Sequence, residues 1–308
     1  MRPMSNWTWI FLAGAVAITI MWLKGRTRSW RRRFVYRLRM RRNEQFWASA
    51  TPSPPLSGRL RIIVSLTTSP ARLALLEPVL ISLTKGQTRP PDEIHLNLPW
   101  KFGRTGENYT LPNFLDRYPV KVFRTEDVGP ATKLVPTLVR VTDPQTWILT
   151  VDDDVRHLPA AIERLEDAAL ADPDSAHGYS DYTLWRKWQP GKPVDFLAGF
   201  GGCLFKRSFF GPDFPAYFEA TNVDKACYFQ DDIVIGNYLA TQKTPCRRVS
   251  AQDCDLALMK RRGCLLEQAG DADALSHGAG SGMDTKTRSL AAMAFLRSKG
   301  LAASPGGN

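Results

Sequence analysis

The sequence has little of what cross-links a small secreted fold or builds a zinc site. Its 308 residues include five cysteines and four histidines. Cys203, Cys227, Cys246, Cys254 and Cys264 are odd in number and show no CxxC or CxxH spacing, which excludes a disulfide framework and reads as reduced, buried thiols. Glycine signatures for phosphate are missing too. No GK[ST] run marks a Walker A loop, and "GFGGCLF", Gly199 to Phe205, lacks the GxGxxG order of a dinucleotide fold. There is no internal repeat. Most of the chain also lacks excess charge. The formal net charge of +11 is concentrated in Met1–Ala50, where eleven Lys and Arg face one acid, Glu44; the other 258 residues hold thirty bases and twenty-nine acids. A nearly neutral body gives no electrostatic footprint for nucleic acid, and none is expected as a partner.

What is present begins with "WTWIFLAGAVAITIMWL", Trp7 to Leu23, an uncharged apolar run with tryptophans at both ends. It is at the short end of a bilayer span, and residues 1–23 are read as a single membrane anchor. A cleaved signal peptide would carry its charge before the apolar run, whereas "KGRTRSWRRR" follows this one. Lys24, Arg26, Arg28, Arg31, Arg32 and Arg33 outweigh Arg2, so the body is expected on the cytoplasmic side, in a bacterial inner membrane. The basic stretch 24–47 suits anionic headgroups better than an RNA-binding arm. "ASATPSPPLSG", Ala48 to Gly58, reads as a Pro/Ser-rich linker, residues 59–300 as one folded domain and 301–308 as a disordered tail.

At 44% hydrophobic content the body buries a sizeable core. Strands are expected at "RLRIIVSLTT", "DEIHLNLP", "YPVKVFRT" and "TWILTV". Helices are expected at "RLALLEPVLISLTKG", interrupted by Pro78, at "PATKLVPTLVRV", and from Pro159 to about Leu170. Others begin at "QDDIVIGNYLA" and run from about Thr285 to Lys299. The alternation predicts an α/β class with a central, mostly parallel sheet and a ligand crevice at the carboxyl ends of its strands.

Asp152, Asp153 and Asp154 fall at such an end. Three adjacent carboxylates repel, and a hard divalent cation, Mn²⁺ or Mg²⁺, would relieve them while bridging to substrate phosphates. The alternative is a solvated loop capping the next helix. An aspartyl phosphatase is excluded by Arg156, where Thr or Val would stand. Asp231 and Asp232 open a helix; an ionised carboxylate there can act as a general base, and either one can equally be a plain cap.

The ordered set "VSLTTSPARL", "SLTKGQTRPPDEI", "EDVGPATKL", "WILTVDDDV", "FLAGFGGCLFKR" and "FQDDIVIGNYL" resembles a GT-A-fold glycosyltransferase, above all glycosyltransferase family 2 and its bacterial relatives, over about Arg59 to Ala240. The resemblance implies a Rossmann-like GT-A domain that moves a sugar from a nucleotide sugar, with a UDP-sugar expected, to a hydroxyl on a glycan or lipid-linked acceptor. By the same resemblance the triplet is similar to a DxD motif, which gives Asp154 the metal and Asp152 the ribose or the metal, with Asp153 assisting, so that Asp152 and Asp153 also count as donor-binding. Asp232, beside Asp231, corresponds to the catalytic base of inverting members. Thr67, Thr68, Arg72 and Lys133 correspond to donor-binding positions, although a solvated helix lysine is an equal reading of Lys133. His277 is the candidate third metal ligand, and Gly201, Gly202 and Trp185 are candidates for the acceptor side. An aspartate common after the family's second strand is absent, leaving Asn97 as the nearest polar residue. Two rival classes are a nucleotidyltransferase, for which the segment after the first strand lacks glycine, and a non-catalytic, membrane-tethered sugar-binding protein.

Overall fold

The computed structural model describes residues 59–182, 192–249 and 282–303, all within the second of two compact units, Trp47–Asn308. The expected anchor, basic stretch and linker lie outside the described residues, as do Trp185 and His277. Among the described residues no helix is long and apolar enough to cross a membrane.

Strand β1, Ile62–Leu66, is buried at every position, as expected of a strand covered on both faces. The single helix expected next is two short ones, α1 (Pro70–Leu73) and α2 (Glu77–Leu83). Pro78 stands in the first turn of α2, where its missing N–H has no intrahelical partner to lose, so it starts a helix instead of interrupting one. Strands β2 (Glu93–Pro99) and β3 (Val120–Thr125) follow. The helix expected from Pro130 is a 3₁₀ turn, Gly129–Lys133, and then α3, Val135–Arg140, with Pro136 in its first turn. Next come β4 (Trp147–Thr150), α4 (Ala161–Ala171), β5 (Ala176–Tyr182) and β6 (Phe196–Lys206). Helices α5 (Phe214–Asn222), α6 (Lys225–Tyr228) and α7 (Asp231–Thr241) precede β7 (Cys246–Arg248) and α8 (Thr285–Ser298).

The strands form one seven-stranded sheet in the order β3-β2-β1-β4-β6-β5-β7. Only β6 runs against its neighbours; every other pairing is parallel. The domain is therefore mixed α/β and Rossmann-like. β2 lies on one side of β1 and β4 on the other, so the connections diverge there. Such a switch point leaves a crevice beyond the carboxyl ends of β1 and β4.

Strand β6 was hidden in the sequence by its glycines. Gly201 and Gly202 take φ of +88° and +106°, and the β5–β6 register shifts between Gly178 and Ser180. Glycine in a strand marks such an irregularity and reads as a loop. Helix α7 lies directly on β6, because a Cβ at Gly236 would run into the Phe196 ring. The main core joins Ile63, Ile148 and Phe205 of the sheet to Phe214, Ile233, Tyr238 and Leu296 of α5, α7 and α8. Beyond α8, Asn237 donates to the Leu301 carbonyl at 2.8 Å and accepts from the Ala303 amide at 2.9 Å, tying the start of the expected disordered tail to α7.

Candidate active site

The chain leaves β4 at Thr150 and delivers the aspartate triplet into the crevice. Asp152 and Asp154 side chains are 32% and 33% exposed, while that of Asp153 is 7% exposed. Asp153 turns inward. It accepts from the Thr68 hydroxyl at 2.5 Å and pairs with Nη1 of Arg72 at 2.8 Å, and Nη2 of the same guanidinium pairs with Asp154. The Tyr109 hydroxyl fixes the backbone of this segment by donating to the Thr68 carbonyl at 2.9 Å. Thr67 donates to the Asn97 carbonyl at 2.8 Å, at the matching end of β2.

Asp231 and Asp232 occupy the first turn of α7, where the helix dipole favours negative charge. Neither is a plain cap: the cap position is Gln230, whose amide instead donates to the Thr285 carbonyl at 3.1 Å and to the Ser289 hydroxyl. Oδ2 of Asp232 accepts from the Gly199 amide at 3.0 Å. Lys133 joins the two acidic clusters. Its ammonium lies 3.1 Å from Oδ1 of Asp152 and 3.2 Å from Oδ2 of Asp231, and its side chain is only 10% exposed, which excludes the solvated-lysine reading. Gly199 completes the meeting point. A Cβ there would sit 2.8 Å from Nζ of Lys133, 3.3 Å from Oδ1 of Asp232 and 3.5 Å from Oδ1 of Asp152.

A buried polar network holds Lys133 from below. Ser65 of β1 donates to the Lys133 carbonyl at 2.5 Å and lies 2.7 Å from the Thr137 hydroxyl. The Asn97 side-chain amide donates to Ser65 at 3.1 Å and to Thr137 at 3.0 Å, while Arg140 donates to its side-chain oxygen Oδ1. Asn97 is fully buried and committed to this network, so it does not serve as the nucleotide-reading residue its position suggested. Ser65 and Thr137 escaped the sequence reading. Their one signal was a hydroxyl inside an apolar run, "IIVSL" and "VPTLVR".

Burial pushes the Asp232 carboxyl up to about 7, helped by Asp231 and opposed by Lys133. It pushes Asp153 up to about 6 against the pull of Arg72. Asp154 is raised by burial and by Asp152. Burial would raise Asp152 as well, but adjacent Lys133 holds its carboxyl below the usual range. Burial would lower Lys133, yet Asp152, Asp231 and Asp232 keep it well above the ordinary lysine value. Behind the triplet, burial depresses His157 to about 4, so it is neutral.

Gly202 packs on β4, where a Cβ would lie 3.1 Å from Cδ1 of Leu149, and Gly201 precedes it in β6. Cys203, Cys227 and Cys246 are buried free thiols; Cys254 and Cys264 lie outside the described residues. Among the described residues no three His, Cys, Asp or Glu side chains converge as a metal cage. Asp152 and Asp154 still fit a hard cation of the Mg²⁺ type. Both present partly exposed carboxylate oxygens to the crevice, and such an ion takes one or two carboxylates and completes its shell with water and substrate phosphate.

Fold and site together define a Rossmann-like α/β domain with two acidic clusters joined by a buried lysine at its switch-point crevice. No family model and no curated protein sequence matches the chain. Among solved structures, one of 4-diphosphocytidyl-2C-methyl-D-erythritol synthase aligns with a TM-score of 0.38 and 14% identity, over 67% of this chain and 96% of that one. At that score the likeness carries no argument, and the α/β assignment rests on the sheet itself.

Proposed function

We propose that the chain is a membrane-anchored, metal-dependent, inverting glycosyltransferase that moves a sugar from a nucleotide sugar, with a UDP-sugar the leading donor, to a hydroxyl of a glycan or lipid-linked acceptor at the cytoplasmic face. One observation carries the reading beyond the sequence resemblance. The second acidic pair lies beside the triplet, with Lys133 and Gly199 between them, instead of capping a remote helix. A donor-phosphate site and a general base belong at that separation, close enough to serve the two sides of one sugar.

In this reading Asp152 and Asp154 hold Mg²⁺ or Mn²⁺, which when bound offsets the charge of the departing diphosphate. Arg72 and Lys133 lie within reach of the same phosphates. Asp232 accepts the proton of the acceptor hydroxyl as that oxygen bonds to the anomeric carbon. The bond from that carbon to the phosphate oxygen breaks, and its electron pair leaves with the nucleoside diphosphate. A carboxyl raised to about 7 is matched to this task near neutral pH, where its basicity and its ionised fraction are both useful. The Gly199 amide, donating to Oδ2 at 3.0 Å, aims the carboxylate.

The test is nucleoside diphosphate release by the purified full-length chain across a panel of nucleotide sugars, with Mn²⁺, with Mg²⁺ and with chelator. The expected result is metal-dependent release from one donor, lost in Asp154→Asn and in Asp232→Asn. Absence of both release and nucleotide binding with every donor overturns the proposal.

A further inference from the structure

The triplet raises a problem that the fold answers without a metal. Each of its carboxylates is matched to a cation of the chain: Asp152 to Lys133 at 3.1 Å, Asp153 to Arg72 at 2.8 Å, and Asp154 to the other arm of the same guanidinium. These cations are not loose surface charges. Lys133 and Arg72 side chains are 10% and 14% exposed. The Lys133 backbone is hung from Ser65, and its ammonium is also engaged by Asp231. A bare divalent ion arriving at Asp152 and Asp154 meets two positive charges already seated at those carboxylates.

From this arrangement we infer that Lys133 and Arg72 are built-in counter-ions that make divalent-cation binding conditional on the donor's phosphates. A diphosphate brings negative charge of its own. Lys133 and Arg72 can turn to it, leaving Asp152 and Asp154 free to share the metal with it. Metal and nucleotide then enter as one unit, each strengthening the other by the same factor. The two cations set the order of assembly, and the protein avoids sequestering free metal ions when no donor is present. This inference rests on the donor-site reading given above.

The experiment is calorimetric titration of Mn²⁺ into the full-length chain, alone and with UDP, GDP, CDP or ADP in turn. It is repeated with Lys133→Gln and with Arg72→Gln. For the unaltered chain, Mn²⁺ alone binds weakly, and one nucleoside diphosphate tightens it about tenfold or more, the scale of a typical coupling between linked sites. Each variant binds Mn²⁺ alone about tenfold more tightly than the unaltered chain, as loss of a neighbouring like charge implies, and the nucleotide's enhancement shrinks. Lys133→Gln leaves Asp152 and Asp231 without their cation and can unfold. Arg72→Gln, at the crevice edge, and the unaltered chain's own synergy carry the test independently. Tight Mn²⁺ binding by the unaltered chain without nucleotide, unchanged in the variants, overturns the counter-ion role while leaving the donor site standing. No binding of Mn²⁺ or of any nucleotide overturns both.

Discussion

The two halves of the sheet are built on different rules. From β3 to β4 the strands are parallel, with β1 and β4 buried at every position, and each returns through helices or turns, so their carboxyl ends gather Thr67, Thr68 and the aspartate triplet at one rim. From β6 to β7 the sheet is interrupted by an antiparallel strand rich in glycine, and its contribution to the crevice is a backbone amide, Gly199, instead of a side chain. The first half supplies charge by position. The second supplies room and alignment by omission. Lys133, from a turn on the first half, is where the two meet.

The sharpest break of this comparison is Asp232→Asn, which keeps shape and removes the proposed base. Turnover should fall by about 10²- to 10⁴-fold, measured as kcat with saturating donor. The unaltered chain should show kcat/KM rising with pH through about 7, because the active form is the ionised carboxylate, and residual activity of the variant should lack that limb. The same raised value means the folded state holds this proton more tightly than the unfolded one. The group's contribution to stability is present at low pH and is lost as pH rises from about 4 toward 7. Asp232→Asn should therefore raise the melting temperature at pH 8 while cutting turnover.

Gly199→Ala tests the second half. Its methyl would intrude on Lys133, Asp232 and Asp152, and turnover should drop by up to about 10²-fold with the fold retained by circular dichroism. Smaller in consequence is Gly236→Ala, which forces α7 off β6; denaturant melts should record a loss of about 1–3 kcal/mol. Smallest is Arg61→Ala on the first half. Lys121, Arg61 and His95 together hold Glu93 down to about 2, so removing one half-exposed partner should cost no more than about 1 kcal/mol.

The parallel half was legible in the sequence because β1 and β4 are short apolar runs, β2 alternates apolar with polar residues, and the turns carry proline. Prolines 78 and 136 misplaced helix starts only because a proline in a first turn and one that breaks a helix look alike without the neighbouring backbone. The other half was not legible as strands. β5, "AHGYSDY", alternates small and polar residues, and β6 is read as loop wherever glycine is taken at its usual meaning. At the site, the acidic residues announced themselves by type. Neither the inward turn of Asp153 nor the capture of Lys133 by both acidic clusters could be read from spacing, because each depends on contacts between residues far apart in sequence.

The missing side chain at Gly236 has a bearing on how such a protein can diversify. With the Phe196 side chain of β6 seated against Gly236 of α7, and the Gly199 amide bonded to Asp232, helix and strand are joined at two points. A side chain at 236 would push against Phe196 and displace α7, carrying the Asp232 carboxylate with it. Changes of ligand are then expected in segments around the joint, and lineages descended from a common ancestor should differ there while retaining glycine at 236.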